Sequence, residues 1–253
     1  MSGREDEKER IAKFLARAGV ASRRDSERLI SAGRVTLNGV VVVHPATMVN
    51  GADSLAIDGK DIAATQQTKL WRYHKPAGLV TTARDPEGRP TVFSKMPKTL
   101  PRVISVGRLD INTEGLLLLT NDGELARYLE HPAQAISRTY RIRAHGTMTD
   151  AALAALNRGL TIEGITYRPA KTTIDRRQAS NTWLTMTLSE GKNREIKRLL
   201  EPIGLRVTRL IRVSYGPFEL GMLEPNGVDE IPDRLLKKLI PGFFRRVTPT
   251  GAD

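Results

Sequence analysis

The feature that most restricts the fold is a glycine-bounded loop set between two apolar runs. The loop reads Gly107-Arg108-Leu109-Asp110-Ile111-Asn112-Thr113-Glu114-Gly115. Val103-Ile104-Ser105-Val106 precedes it, and Leu116-Leu117-Leu118-Leu119-Thr120 follows it. Both runs read as buried strands. A core therefore holds the loop at its two ends, which is how a rigid scaffold aims a reactive group. An acidic residue, Asp110, sits mid-loop with an arginine two positions before it. A carboxylate placed this way can act as a nucleophile, a general base or a metal ligand.

Length and charge narrow the choice. The chain has 253 residues, enough for one or two domains with a sizeable core. Forty Lys and Arg against 28 acids leave a net charge of +12, which points to a polyanion partner. No apolar run approaches membrane-spanning length, and the start, Met1-Ser2-Gly3-Arg4-Glu5-Asp6, has no apolar signal core, so nucleic acid is favoured over a membrane. Cysteine is absent, which excludes disulfides and thiolate metal sites and fits a reducing cytoplasm. His44, His74, His131 and His145 are scattered without ligand spacing, so no metal is expected.

The order of elements predicts an α+β chain. Residues 1–8 are charged, poor in apolar groups and expected to be disordered. A small module is expected over 9–62. Ile11, Phe14, Leu15 and Ala18 recur at helical spacing and stop at Gly19. Ser22 reads as the N-cap of a second helix, with Asp25 as its capping-box partner. Val35-Thr36-Leu37-Asn38-Gly39-Val40-Val41-Val42 is a hairpin signal. Residues 63–68 read as a linker whose composition predicts an independently moving module. From 69 to 240 the elements do not alternate as regular βαβ units, which predicts a mixed, largely antiparallel sheet. Residues 241–253 read as a short basic tail.

In the small module, Lys13 and Arg17 lie one helical turn apart, and Arg23 and Arg24 follow Ser22 at a helix start, where free N–H groups favour phosphate. With Lys13-Phe14-Leu15-Ala16-Arg17-Ala18-Gly19, Ser22-Arg23-Arg24, Gly33-Arg34-Val35 and Asn38-Gly39, this segment resembles the S-four RNA-binding fold. That resemblance implies RNA binding by shape and phosphate contact through Lys13, Arg17, Ser22, Arg23 and Arg24.

Three blocks of the larger region occur in a telling order. They are Lys75-Pro76-Ala77-Gly78, the run Gly107 to Gly123, and Glu190-Gly191-Lys192-Asn193-Arg194-Glu195-Ile196-Lys197-Arg198-Leu199-Leu200. Together they resemble the RsuA/RluB type of pseudouridine synthase, preceded by its usual S-four-like domain. The resemblance implies isomerisation of uridine in RNA: the N-glycosidic bond breaks, the uracil turns, and a carbon–carbon bond to the same sugar forms. It implies no cofactor, a monomer, and ribosomal RNA as partner. It makes Asp110 the nucleophile and Tyr140 the active-site tyrosine that stacks on the uracil and handles a proton. It makes Lys197 the cation paired with the catalytic carboxylate, where many related synthases carry arginine. It puts Arg108 on the target's phosphate or in base flipping, and Leu199 or Leu200 against the uracil. The base must leave its stack to react, so Arg72, Lys75, Arg84, Arg89, Arg141, Arg143, Arg209 and Arg212 are candidate phosphate contacts.

Two segments, Pro101 to Gly107 and Arg209 to Phe218, look more like large-subunit enzymes, with the small-subunit enzyme as the alternative. The lack of a long basic extension after Arg246 departs from many large-subunit relatives. A non-catalytic ribosome-assembly factor and a transfer-RNA synthase are the competing readings.

Overall fold

A computed structural model describes residues 8–63 and 66–247 of the chain. The expected disordered start, apart from Lys8, lies outside the described residues. So do Ala64 and Thr65 of the expected linker and the last six residues.

The small module forms from local signals. Helices Ile11–Arg17 and Arg23–Ser31 pack Ile11, Phe14, Leu15 and Ile30 against Val35 and Leu55. Ser22 caps the second helix: its hydroxyl accepts the Asp25 N–H at 3.1 Å and donates to the Asp25 carboxylate at 2.6 Å. Asn38 and Gly39 both take positive φ, as a two-residue hairpin turn requires, and join Val35–Leu37 to Val40–Val42. Strand Leu55–Ile57 pairs on the other side of Val35–Leu37, with Lys60–Asp61 beyond it. The module is not free of the rest of the chain: Lys13 forms an ion pair with Glu124 of the larger domain.

The larger domain is built on a nine-stranded sheet among the described residues. Its main path runs Lys171–Gln178, Asn181–Leu188, Arg138–His145, Arg206–Tyr215, Glu114–Thr120, Leu70–Lys75, Val228–Glu230. Pairing is antiparallel except between Arg206–Tyr215 and Glu114–Thr120, which run parallel and match only at Ile211↔Glu114 and Arg212↔Gly115. That two-residue seam joins the halves of the sheet.

The two halves are covered differently. Ile142, Ala144, Leu184 and Met186 bury against Leu156, Ile196, Leu199 and Leu200 of helices Asp150–Arg158 and Glu195–Leu200. In the other half the leucine run divides between two cores. Leu116 and Leu118 face Leu125, Leu129, Leu236 and Phe243, while Leu117 and Leu119 face Trp71, Tyr73, Val92 and Leu109. All four leucines are fully buried because their strand is covered on both sides. Tyr140 packs against two of these cores at the seam, where a cleft opens.

The expected basic tail is corrected in part. Pro241–Val247 is a helix, and Phe243 is buried against Tyr128, with ring centroids 5.5 Å apart. Two phenylalanines bring enough apolar area to dock the segment whatever charge follows them.

Candidate active site

One wall of the cleft is the Asp110 loop. Leu109 is sunk into the core and anchors it. Its carbonyl accepts the Thr81 hydroxyl at 2.9 Å, and the Gly107 N–H donates to Glu130 at 2.7 Å. Beneath the loop lies Lys75, completely buried at the end of strand Leu70–Lys75. Its ammonium donates to the carbonyls of Pro76, Asp110 and Ile111 at 3.1 Å each and of Thr113 at 2.9 Å. Burial pushes its pKa down to about 8, against the pull of the Asp110 and Glu114 charges. Lys75 therefore does not reach RNA phosphate, contrary to the expectation from sequence. A loop without secondary structure needs donors for its carbonyls, and this side chain supplies them.

Gly115 ends the loop with φ near +101°, and a Cβ there would lie 2.3 Å from the Arg212 carbonyl oxygen. Only glycine fits where the two halves of the sheet meet. The outcome of these constraints is an exposed Asp110 whose carboxylate has no hydrogen-bond or ion-pair partner among the described residues.

The facing wall comes from strand Arg138–His145 and the turn into helix Glu195–Leu200. Glu195 is almost fully buried, and its carboxylate accepts the Lys192 N–H at 3.0 Å. Burial, helped by the neighbouring Glu190, pushes its pKa up to about 7 against that hydrogen bond. Lys192 donates its ammonium to Glu190 at 2.6 Å and to the Thr166 carbonyl at 2.9 Å. Arg194 then takes left-handed backbone with φ near 51° before the helix begins.

Asp110, Arg108, Tyr140 and Lys197 all line one cleft of about 510 Å³. They come from three separate segments of sequence. Lys197 and Asp110 share the cleft without forming an ion pair, so the carboxylate–cation pairing expected from the resemblance is not present in this arrangement.

Comparisons with known proteins give the family. A model of the RNA pseudouridylate synthase family matches residues 69–202, and a model of the S4 domain matches residues 9–55. The chain belongs to the RNA pseudouridylate synthase family. It is 45% identical over 235 residues to an uncharacterized RNA pseudouridine synthase of Rickettsia prowazekii, covering 93% of this chain and 99% of that one. It is 43% identical over 225 residues to the ribosomal large subunit pseudouridine synthase B of Escherichia coli K12, covering 87% of this chain and 77% of that one. A crystal structure of a pseudouridylate synthase superposes with a TM-score of 0.64 at 25% identity, covering 91% of this chain and 99% of that one.

Other expectations for this synthase change with the structure. Leu199 and Leu200 are core residues of the helical half and do not line the cleft; the aliphatic groups that do are Val80, Leu109, Ile111, Leu188, Ile196 and Leu210. Ile196, Leu199 and Leu200 belong to one core, and Ile196 also reaches the cleft because it lies in the first turn of the helix, about one turn before Leu200 on the same face. Arg141 lies outside the cleft lining. Its guanidinium sits 5.0 Å from the Trp183 ring centroid and 3.7 Å from Asp175, because strand neighbours alternate faces and Tyr140 takes the cleft side.

Several expected phosphate contacts are engaged within the protein. Arg72 pairs with Asp229, Arg89 with Asp85 and Glu87, and Arg209 with Glu114. In the S4 module, Lys13 and Arg17 both pair with the buried Glu9, which requires them as counter-charges. The Ser22 hydroxyl is engaged by its cap. Arg23 and Arg24 remain on the surface, Arg23 beside Glu27 at 3.6 Å.

The residues missed from sequence are Arg138, Glu130 and Tyr215, all in the cleft lining. Glu130 and Tyr215 lie at element ends and carry no motif. Arg138 sits two residues before Tyr140, and that alternation was the available signal.

Proposed function

We propose that this synthase converts a uridine of large-subunit ribosomal RNA to pseudouridine, with Asp110 as its nucleophile. The observation that carries the reading is the convergence of Asp110, Arg108, Tyr140 and Lys197 on one cleft, with the Asp110 carboxylate exposed and unpartnered. The choice of ribosomal RNA is supported by the likeness to the Escherichia coli relative, a ribosomal large subunit pseudouridine synthase.

In this reading the target nucleotide flips into the cleft, which costs a few kcal/mol and favours an unpaired site. Tyr140 stacks on the uracil and exchanges a proton during rearrangement. Lys197 supplies a positive charge to the cleft that holds the Asp110 carboxylate. Arg108 contacts the target's phosphate or fills the space the base leaves. Atoms are conserved: the bond from the sugar to nitrogen breaks, a bond from the same sugar carbon to a uracil carbon forms, that uracil carbon loses its proton, and the freed ring nitrogen takes one up.

The test is pseudouridine mapping of ribosomal RNA from cells lacking the gene, complemented with wild type or Asp110→Asn. The expected result is one large-subunit modification that is lost, restored by wild type and not by the variant, while the variant still binds RNA. Restoration by Asp110→Asn would remove the assigned nucleophile. Loss in small-subunit RNA would keep the chemistry and change the substrate.

A further inference from the structure

We propose that Arg138 and Arg212 form an anion subsite in the cleft wall that holds a phosphodiester of the RNA strand beside the target nucleotide. The proposal rests on the RNA reading above and adds two residues to it.

The two guanidinium groups share one aromatic ring. The Arg138 Cζ lies 4.9 Å from the Tyr215 ring centroid, and the Arg212 Cζ lies 5.1 Å from it. The two cations are thus within about 10 Å of each other. Arg138 donates to the Ile136 carbonyl at 3.0 Å and to the Tyr215 hydroxyl at 3.2 Å. That hydroxyl in turn donates to the Leu129 carbonyl at 2.8 Å, which fixes the ring. Arg212 is 2% exposed. Its Nε donates to the Leu116 carbonyl at 2.7 Å, and its Nη2 is buried with no partner. Arg138, Arg212 and Tyr215 all line the cleft that contains Asp110.

Two adjacent cations without a counter-charge are an unfavourable arrangement for a folded chain. Elsewhere in this molecule arginines at the surface find acids: Arg72, Arg89 and Arg209 each do. Among the described residues, neither Arg138 nor Arg212 has an ion-pair partner. The carboxylates Glu190 and Glu195 in the same lining are engaged with Lys192, and Glu130 accepts the Gly107 N–H. What completes the arrangement is an anion that enters with the substrate. Guanidinium donors present paired N–H groups that match phosphate oxygens. Stacking on Tyr215 holds both groups in place before the anion arrives, so little side-chain freedom is lost on binding.

Equilibrium binding of a labelled uridine-containing RNA hairpin, measured across a salt series, tests the subsite without requiring turnover. Arg138→Gln is expected to weaken binding roughly tenfold and to lower the slope of log Kd against log salt by about 0.7 to 0.9, the value of one phosphate contact. Arg138→Lys, which keeps the charge, is expected to recover the slope. A methylphosphonate scan then removes the charge of one linkage at a time. One neutral linkage is expected to weaken wild type and leave Arg138→Gln unchanged.

An unchanged slope in an Arg138→Gln protein of wild-type melting temperature overturns the proposal. So does a variant weakened equally by every neutral linkage. If Asp110→Asn abolishes the effect of Arg138→Gln, Asp110 is the missing anion and the phosphate assignment falls. Failure of the wild type to make pseudouridine, with the slope change intact, would count against the function reading and leave the subsite standing.

Discussion

The two walls of the cleft are held by charges of opposite sign. Under the Asp110 loop lies a buried cation, Lys75, surrounded by four carbonyl oxygens. Under the Glu190–Arg194 turn lies a buried carboxyl, Glu195, beside a second carboxylate and one lysine. In the first wall the Lys75 ammonium finds its acceptors on the loop backbone. The second leaves one Glu195 oxygen buried without a partner and shares its charge with Glu190. The difference teaches that each wall rests on a buried proton of its own: Glu195 gives its proton up near pH 7, whereas Lys75 keeps its charge until about pH 8.

Lys75→Met should do the most damage. It removes a side-chain donor shared by four carbonyls while keeping the apolar volume, and should cost about 3–5 kcal/mol with loss of most product formation. Urea denaturation and single-turnover assays check this; a variant of wild-type stability would mean the lysine is not what locks the loop.

Gly115→Ala comes next. The added methyl meets the Arg212 backbone at positive φ, and the expected loss is about 2–4 kcal/mol. Because the seam joins the halves of the sheet, both walls should loosen together, visible as faster hydrogen exchange on each side of the cleft. Exchange that rises on the Asp110 side alone would show that the walls are held independently.

Glu195→Gln should act on the second wall only, and its sign depends on pH. The Glu195 pKa is raised from 4.5 to about 7, so between those values the folded chain binds more protons than the unfolded chain. The stability tied to its protonated form is complete below pH 4.5 and is lost as pH rises through about 7. Glutamine imitates the protonated form. The variant should match wild type near pH 5 and exceed it by on the order of 2–3 kcal/mol at pH 8. Melting curves that stay parallel from pH 5 to pH 8 would sink the contrast between the walls.

Lys192→Met should be the mildest, below about 1 kcal/mol at pH 7, because its ion pair with Glu190 is largely at the surface. A larger loss would show that the second wall leans on this lysine more than on the Glu195 proton.

Much of the fold was legible along the chain. The helix stops at Gly19 and Gly33, the Ser22 cap and the Asn38-Gly39 turn are local, so the small module could be read residue by residue. The leucine run announced a strand buried on both faces. The failures share a cause. Lys75 looked like a surface cation because nothing nearby in sequence shows that four carbonyls from residues 76–113 converge on it. Lys13 and Arg17 looked like a phosphate site because Glu9, their acceptor, becomes buried only when the module packs. Phe243 was read with the arginines beside it, although its partner Tyr128 lies more than a hundred residues earlier.

Motif and periodicity were enough to say that Asp110 stands on a loop clamped by two buried strands and that Ser22 begins a helix. These are properties of neighbours within a few residues, where backbone preference and burial patterns act. Packing of distant segments settled which cations remain available to a ligand. The charge state and partner of a buried group depend on what surrounds it in three dimensions. Lys75 serves a loop, Arg209 serves Glu114, and Arg212 stands beside Arg138 without an acid, yet in sequence all are basic residues on strands.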